Sequence, residues 1–511
     1  NGLNLRGVRL WEANLEGANL TSADLADAVV AGANLHSACL AYASLQGAVL
    51  VGTRLGMLVS SNSGASFSLS SVPGIPGTGE MVSFAGARQG STTRLFCVTL
   101  AAGVIDRYVT GANYDSFQGI YRLDYGIDSS WTAVTNGISG GYPYFVAMCR
   151  TNTSVAYVAG GTGDPDNVPV VFKTANGGSS WQKVFSAINN QNVFTGWQGY
   201  LGDRAWDYGE YALGLCVSQA DPNRGIMTDL GTAHMTTNGG ASWGPLYIQQ
   251  DEWNPTNAAT PKGLDYRGIG LEDTTCWWLT WSDPTNLFAS FTDIRAIRST
   301  NAGVTWSFNY SGLGLNTVYY SLKHPTNGYL YAADSSVHDL YESTYLQDSK
   351  TDYQPAGRVV CSTNRGVSWQ VVHDFTYPVI WLALHPVQNN IMYASVVNSV
   401  NGGIYVTSNL QAGASSTWKK LAEPTGTERH PYNVHVLNDG TLLCTYSGRR
   451  TAAGAFTASS GIFASVNGGA SWTNRSDPGM LYWTKDLVID PHDPAQKTWY
   501  AGVFSGWGGA C

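Results

Sequence analysis

A chain of 511 residues with 13% charged residues, 59 Gly and 12% aromatics has room for a large buried core. It is too poor in charge and too rich in rings for a disordered segment or a coiled coil. The formal net charge of −8 comes with no basic cluster, which argues against nucleic acid as a partner, and no apolar stretch reaches the roughly 18 residues of a membrane span.

The first segment is a repeat. From Leu3 to about Met57 the chain reads in fives, as in Ala13-Asn14-Leu15-Glu16-Gly17, Ala18-Asn19-Leu20-Thr21-Ser22, Ala23-Asp24-Leu25 and Ala33-Asn34-Leu35. A small residue recurs two positions before an apolar one, with polar residues between. This resembles the pentapeptide-repeat family, whose pattern is A-(D/N)-L-x-x. The resemblance implies a right-handed, four-sided β-solenoid over residues 1–57, in which each coil buries its face on the next. Such a segment is expected to act as a spacer or stacking element without chemistry. A start at Asn1 with no Met reads as a processed or partial chain.

A second repeat, of longer period, fills residues 58–511. Six clear copies of an eight-residue motif end at Phe67, Trp181, Trp243, Trp306, Trp369 and Trp472, and two degenerate ones at Trp131 and Trp418. Thr174-Ala175-Asn176-Gly177-Gly178-Ser179-Ser180-Trp181 is typical. The motif resembles the Asp-box (BNR repeat), S/T-x-D-x-G-x-x-W, of sialidase-like, sortilin-like and xyloglucanase propellers. Here Asn stands in the Asp position of every clear copy, and it serves the same turn. These motifs carry fold rather than catalysis.

Around each motif an apolar strand leads to a Pro/Asn turn and a second strand, as in the runs from Leu213 to Gly231 and from Tyr319 to Ser335. That alternation predicts four antiparallel strands per unit, the pattern of a β-propeller blade. The expected fold is all-β: an eight-bladed propeller, with seven blades as the alternative, behind the solenoid. Its closing blade would be shared by residues 58–72 and 480–511. Closure between neighbouring copies would instead give a filament or other polymer.

Cys97, Cys149, Cys216, Cys276 and Cys444 sit in short apolar runs and read as buried free thiols. No Cys/His spacing suits zinc, and no nucleotide loop occurs, so neither a metal site nor a cofactor is expected.

Loops entering the innermost strands are aromatic, with Tyr142, Tyr144, Trp206, Tyr208, Tyr319, Tyr320, Tyr377, Tyr432, Tyr482 and Trp483 among them. Exposed rings there would stack on sugars; otherwise they fill the channel mouth. Carboxylates gather as Asp207, Glu210 and Asp229, and as Glu272, Asp273 and Asp293. Trp206, Tyr208, Glu272, Asp273, Tyr432 and Trp483 are the glycan-binding candidates.

The stretch from Arg267 to Thr275, followed by Leu287 to Trp306, is similar to the catalytic-acid region of glycoside hydrolase family 74 xyloglucanases. The stretch from Gly225 to Trp243 resembles that family's other catalytic-aspartate motif. The resemblance implies Asp293 as general acid and Asp229 as general base of an inverting hydrolysis. The chain departs from the family at Arg295-Ala296, where Gly-Gly is usual, in the single Gly231 after Asp229, and in having blades for one propeller.

The reading preferred from the sequence is a non-catalytic extracellular or cell-surface scaffold of the adhesin type. It would pack against copies of itself, bind a polysaccharide or cell-surface glycan, or do both. The alternative is an endo-acting, xyloglucanase-like hydrolase.

Overall fold

The structure, a computed structural model, describes residues 49–62, 64–102, 116–163, 168–203, 208–209, 211–270, 274–337, 356–449, 457–477 and 483–504. For residues 483–485, 503 and 504 it describes the backbone alone. The pentapeptide stretch up to residue 48 lies outside them, and with it the expected solenoid. The chain divides into two compact units, Asn1–Pro261 with Gly268–Asp273, and Lys262–Arg267 with Thr274–Cys511.

The protein is all-β, built of antiparallel sheets whose strands follow one another in chain order. Four described sheets belong to the first unit. The first sheet is Val49–Thr53, Gly56–Ser60 and Ser68–Leu69. The second is Gly79–Gln89, Thr92–Ala101, Phe117–Asp124 and Thr132–Ala133. The third is Tyr142–Met148, Ala156–Gly161, Pro169–Thr174 and Gln182–Phe185. The fourth is Gly214–Val217, Gly225–Thr228, Ala233–Thr236 and Gly244–Pro245.

Five more belong to the second unit. The fifth sheet is Cys276–Trp281, Leu287–Phe291 and Ala296–Ser299. The sixth is Thr317–Lys323, Leu330–Ser335, Gly357–Ser362 and Gln370–Asp374. The seventh is Val379–Leu384, Met392–Val396, Gly403–Thr407 and Lys419–Lys420. The eighth is Pro431–Val436, Leu442–Tyr446, Gly461–Ser465 and Thr473–Asn474. The ninth is Trp483–Ile489 and Trp499–Phe504.

The first hairpin begins at Val49, inside the stretch read as five-residue repeats. Val49 to Val51 and Met57 to Val59 are apolar and pair across a tight turn, and Gly56, at φ 118°, takes the backbone conformation that a side chain would oppose.

In four copies the eight-residue motif joins the third strand of a four-stranded sheet to its fourth; the copy at Ser60–Phe67 joins the second and third strands of the first sheet, and the copy at Ser299–Trp306 follows the last strand of the fifth. All six clear copies form one hydrogen-bond pattern. The leading Ser or Thr hydroxyl donates to the Asn Oδ1 at 2.8–3.0 Å. It also accepts the N–H of the Gly four residues on, at 2.8–2.9 Å. The Asn Oδ1 accepts a second bond from the backbone N–H four residues further, at 2.9–3.0 Å. Its Nδ2 donates to that residue's hydroxyl at 2.8–2.9 Å. In the stretched copy Asn409 keeps the first and third of these bonds, reaching the N–H of Thr417. Three closing Trp residues tie neighbouring sheets, with Trp181 Nε1 donating to Val134 O at 2.7 Å, Trp243 to Val184 O at 2.6 Å and Trp472 to Ala422 O at 2.7 Å, whereas Trp306 and Trp369 donate to Gly303 O and Gly366 O within their own motifs.

Within each unit the first strands of successive sheets pack on one another. Buried hydroxyls bridge successive sheets: between first strands Val146 N donates to Ser83 Oγ at 2.9 Å and Thr280 Oγ1 donates to Ser321 O at 2.8 Å, and from the first strand of the seventh sheet Val379 N donates at 2.8 Å to Ser335 Oγ on the second strand of the sixth. In seven sheets the pairing of the first strand with the second slips at one point, between Met81 and Ser83, Pro143 and Phe145, Cys276 and Trp278, Val318 and Tyr320, Val379 and Trp381, Pro431 and Val434, and Thr484 and Asp486. A bulge at the same place in each first strand re-aims the side chains around it.

Cys97, Cys149 and Cys444 are buried free thiols, but Cys216 and Cys276 are exposed. Leu215 and Val217 take the covered side of their strand, so alternation leaves Cys216 on the other. No described helix is long and apolar enough to cross a membrane.

Candidate ligand-binding surface

The second unit gathers rings along its first strands. Trp278 packs on Tyr320 at 4.7 Å between centroids and on Trp381 at 5.4 Å, and Tyr320 stacks on Trp381 at 3.8 Å. Trp381 continues the ladder to Tyr432 at 6.0 Å and His435 at 5.9 Å. Behind it Trp277 packs on Tyr319 at 5.0 Å, and the Tyr319 hydroxyl donates to Val337 O at 2.7 Å. The bulges make this possible. Trp277 and Trp278, or Tyr319 and Tyr320, would otherwise point to opposite faces of their strand.

The ladder is graded in exposure. Trp381 is 6% exposed and Trp278 39%, with Tyr320 and Tyr432 half-buried. Trp381 is pinned by its Nε1 donating to Val434 O at 3.1 Å. Asp486, exposed on the first strand of the ninth sheet, accepts Asn433 Nδ2 at 2.7 Å. Burial, and after it the Asp486 charge, pushes the Tyr320 phenol up to about 12. The same two causes raise Tyr432 well above the usual phenol range. Burial lowers His435, against the opposing pull of the Leu487 backbone and Asp486. The surface therefore offers ring faces, neutral phenols, a neutral imidazole and a carboxylate at neutral pH. That combination suits a ligand with apolar faces and hydroxyl edges.

The other candidate residues are placed differently. Asp229 follows the second strand of the fourth sheet and closes its turn to the third. Its Oδ1 accepts the N–H of Gly231 at 2.8 Å and of Thr232 at 2.7 Å, and its Oδ2 faces His234 Nε2 at 3.0 Å. Its side chain is fully buried. Tyr208 packs over this turn, with its ring 5.9 Å from His234 and its hydroxyl donating to Asn190 Oδ1. Gly209 lies so close that a Cβ there would sit 2.7 Å from Asp229 Oδ1. This carboxylate organises a turn and has no face toward solvent.

Asp293 occupies the corresponding turn of the fifth sheet in the second unit, at φ 59°, and is half-buried. Its Oδ1 accepts Asn316 Nδ2 at 3.0 Å. Asp229 and Asp293 thus lie in different units, each described by itself. Trp206, Asp207, Glu210, Glu272, Asp273 and Tyr482 lie outside the described residues, as does the side chain of Trp483. Tyr144 and Tyr319 are core residues, whereas Tyr432 joins the ladder. Sequence reasoning missed Trp278, Trp381, His435 and Asp486 because it sought binding rings in loops. The signal was the adjacent ring pairs Trp277-Trp278 and Tyr319-Tyr320 inside strands. Among the described residues no group of His, Cys, Asp or Glu could hold a metal ion.

The pentapeptide-repeat pattern matches residues 1–36 in eight copies. No curated protein matches the sequence. Among solved structures, an ancestral GH74 enzyme is similar at 14% identity and a TM-score of 0.48, over 84% of this chain and 63% of that one. A GH74 enzyme from Niastella koreensis is similar at 16% identity and a TM-score of 0.41, over 86% and 61%. YCF48 bound to D1 peptide is similar at 11% identity and a TM-score of 0.29, over 68% and 86%. The chain spans less than two thirds of the length of the two GH74 structures it matches. These neighbours have propeller folds.

Proposed function

We propose that this chain is a non-catalytic glycan-binding protein working outside the cell or on its surface, with each four-stranded sheet a propeller blade. The ladder of Trp278, Tyr320, Trp381 and Tyr432 beside Asp486 carries the reading. A pyranose lays its apolar C–H face on an indole or phenol and turns its hydroxyls to carboxylate and imidazole, so such a surface binds sugars without needing to cleave them. The enclosure of Asp229 supports the same conclusion, because an inverting hydrolase needs a base that reaches a water. Asp293 is the residue on which a hydrolase reading would depend.

Affinity electrophoresis through gels containing xyloglucan, mixed-linkage glucan and other soluble polysaccharides tests this. At least one polysaccharide should retard the wild-type chain and not Trp278→Ala, and no reducing ends should be released. Retardation by none of them sinks the proposal. Reducing ends that disappear in Asp293→Ala would replace it with the hydrolase.

A further inference from the structure

We propose that Asn474, Asn309 and Asn152 are acceptors for N-linked glycans. The inference rests on the extracellular part of the reading above and on none of its glycan-binding part.

The three lie in Asn474-Arg475-Ser476, Asn309-Tyr310-Ser311 and Asn152-Thr153-Ser154, the acceptor pattern Asn-x-Ser/Thr with x other than Pro. Asn474 and Asn309 are exposed and Asn152 is half-buried. The side-chain amide nitrogen of each makes no hydrogen bond among the described residues. The amide oxygens are used instead: Ser476 N donates to Asn474 Oδ1 at 2.8 Å, and Ser154 N to Asn152 Oδ1 at 2.9 Å. Those turns hold the oxygen inward and leave Nδ2 to solvent. At the third site Tyr310 is buried, its hydroxyl donating to Ile294 O at 3.1 Å, while Asn309 and Ser311 on either side are exposed.

The motif asparagines show the contrast. Asn62, Asn176, Asn238, Asn301, Asn364 and Asn467 each have Gly two residues on, which removes the acceptor pattern, and each spends its Nδ2 on a neighbouring hydroxyl. Motif amides that spend Nδ2 on the fold are thus excluded from the modification, whereas the three that match the pattern among the described residues leave Nδ2 free of it; Asn19-Leu20-Thr21 also matches and lies outside the described residues.

Placement fits as well. Asn474 is on the fourth strand of its sheet, three strand spacings, or roughly 14 Å, from the first strand that carries Tyr432. A glycan there leaves the ring ladder uncovered. In the transfer, Asn Nδ2 forms a bond to the anomeric carbon of a lipid-linked oligosaccharyl pyrophosphate. The bond from that carbon to the pyrophosphate oxygen breaks, and an amide proton is released. An oligosaccharyltransferase does this on the nascent chain, so the folded structure need only accommodate the product.

The full chain, secreted from eukaryotic cells through a secretion leader, is digested with peptide-N-glycosidase in heavy-oxygen water and mapped by mass spectrometry. Labelled Asp is expected at 474, 309 and 152. Asn474→Gln and Arg475→Pro should each remove one glycan's worth of gel shift, while Ser476→Thr, which keeps both pattern and hydroxyl, should retain it. A secreted, folded chain with unmodified Asn474 overturns the acceptor assignment. Modification in secreting cells but not in the protein from its natural source overturns the proposal for the native chain.

Discussion

Asn176 holds Ser180 twice, its Oδ1 accepting the Ser180 N–H at 3.0 Å and its Nδ2 donating to Ser180 Oγ at 2.9 Å. The backbone N–H needs an acceptor, so the amide can sit only one way round. Six motifs repeat this arrangement, and each holds its turn with a neutral amide that also donates, where an aspartate would add a charge. The low charge of the chain follows in part from that choice.

Asn176→Asp keeps the first bond and forces the serine hydroxyl to turn and donate in the second. Its cost should stay within about 0.5 kcal/mol. Asn176→Ala loses both bonds and leaves the Ser180 N–H without its partner, for about 1–3 kcal/mol. Urea unfolding of the two variants checks this, and equal losses would show that the Nδ2 bond matters more than the backbone one.

Asp229→Asn tests whether that carboxylate holds the turn. An amide at the position of Oδ2 would point its N–H groups at His234 Nε2. To accept one, the imidazole must move its own proton to Nδ1, which is buried with no hydrogen-bond partner. The expected loss is about 1.5–3 kcal/mol of stability, as for hydrogen bonds to a charged group. Polysaccharide retardation should be unchanged, and its loss in a variant that still folds would return Asp229 to the binding or catalytic machinery.

Much of this architecture is legible in the sequence. The Asp221-Pro222-Asn223 and Asp283-Pro284-Thr285-Asn286 turns mark where second strands begin, and Asp283 Oδ1 accepts from the N–H of both Thr285 and Asn286. The eight-residue motifs mark where third strands end in the third to sixth sheets and in the eighth, and where the second strand ends in the first. What local pattern hides is the bulge. A strict alternation through Val318-Tyr319-Tyr320 assigns the two tyrosines to opposite faces, whereas the slip in pairing sends one to the Val337 carbonyl and the other to Trp381. The closure of the turn over Asp229 is equally hidden, because it depends on Gly209 and Tyr208 packing over it from twenty residues earlier.

The phenol of Tyr320 gives a pH dependence with a definite sign. Its folded value, about 12, lies above the ordinary phenol value of about 10. Folding therefore favours the neutral form, and that contribution is complete below about pH 10 and is lost as pH rises toward 12. Absorbance at the phenolate band should show Tyr320 titrating late in the wild type. Asp486→Asn should bring it only part of the way back, since burial is the larger cause. A full return to the ordinary value would make Asp486 the dominant influence.

The graded exposure of the ladder separates binding from folding. Trp381→Ala removes a 6% exposed ring from between Tyr320 and Tyr432 and should cost about 3–5 kcal/mol, taking ligand retention with it. Trp278 has one side on Tyr320 and Trp381 and the other in water, so Trp278→Ala should cost about 1–2 kcal/mol. Its effect on affinity should nevertheless be about tenfold or more, equivalent to about 1.4 kcal/mol of binding free energy. Calorimetric titration of both variants with the retarding polysaccharide measures the difference. If Trp278→Ala loses stability and not affinity, the ring serves the core, and the sugar-binding surface lies elsewhere.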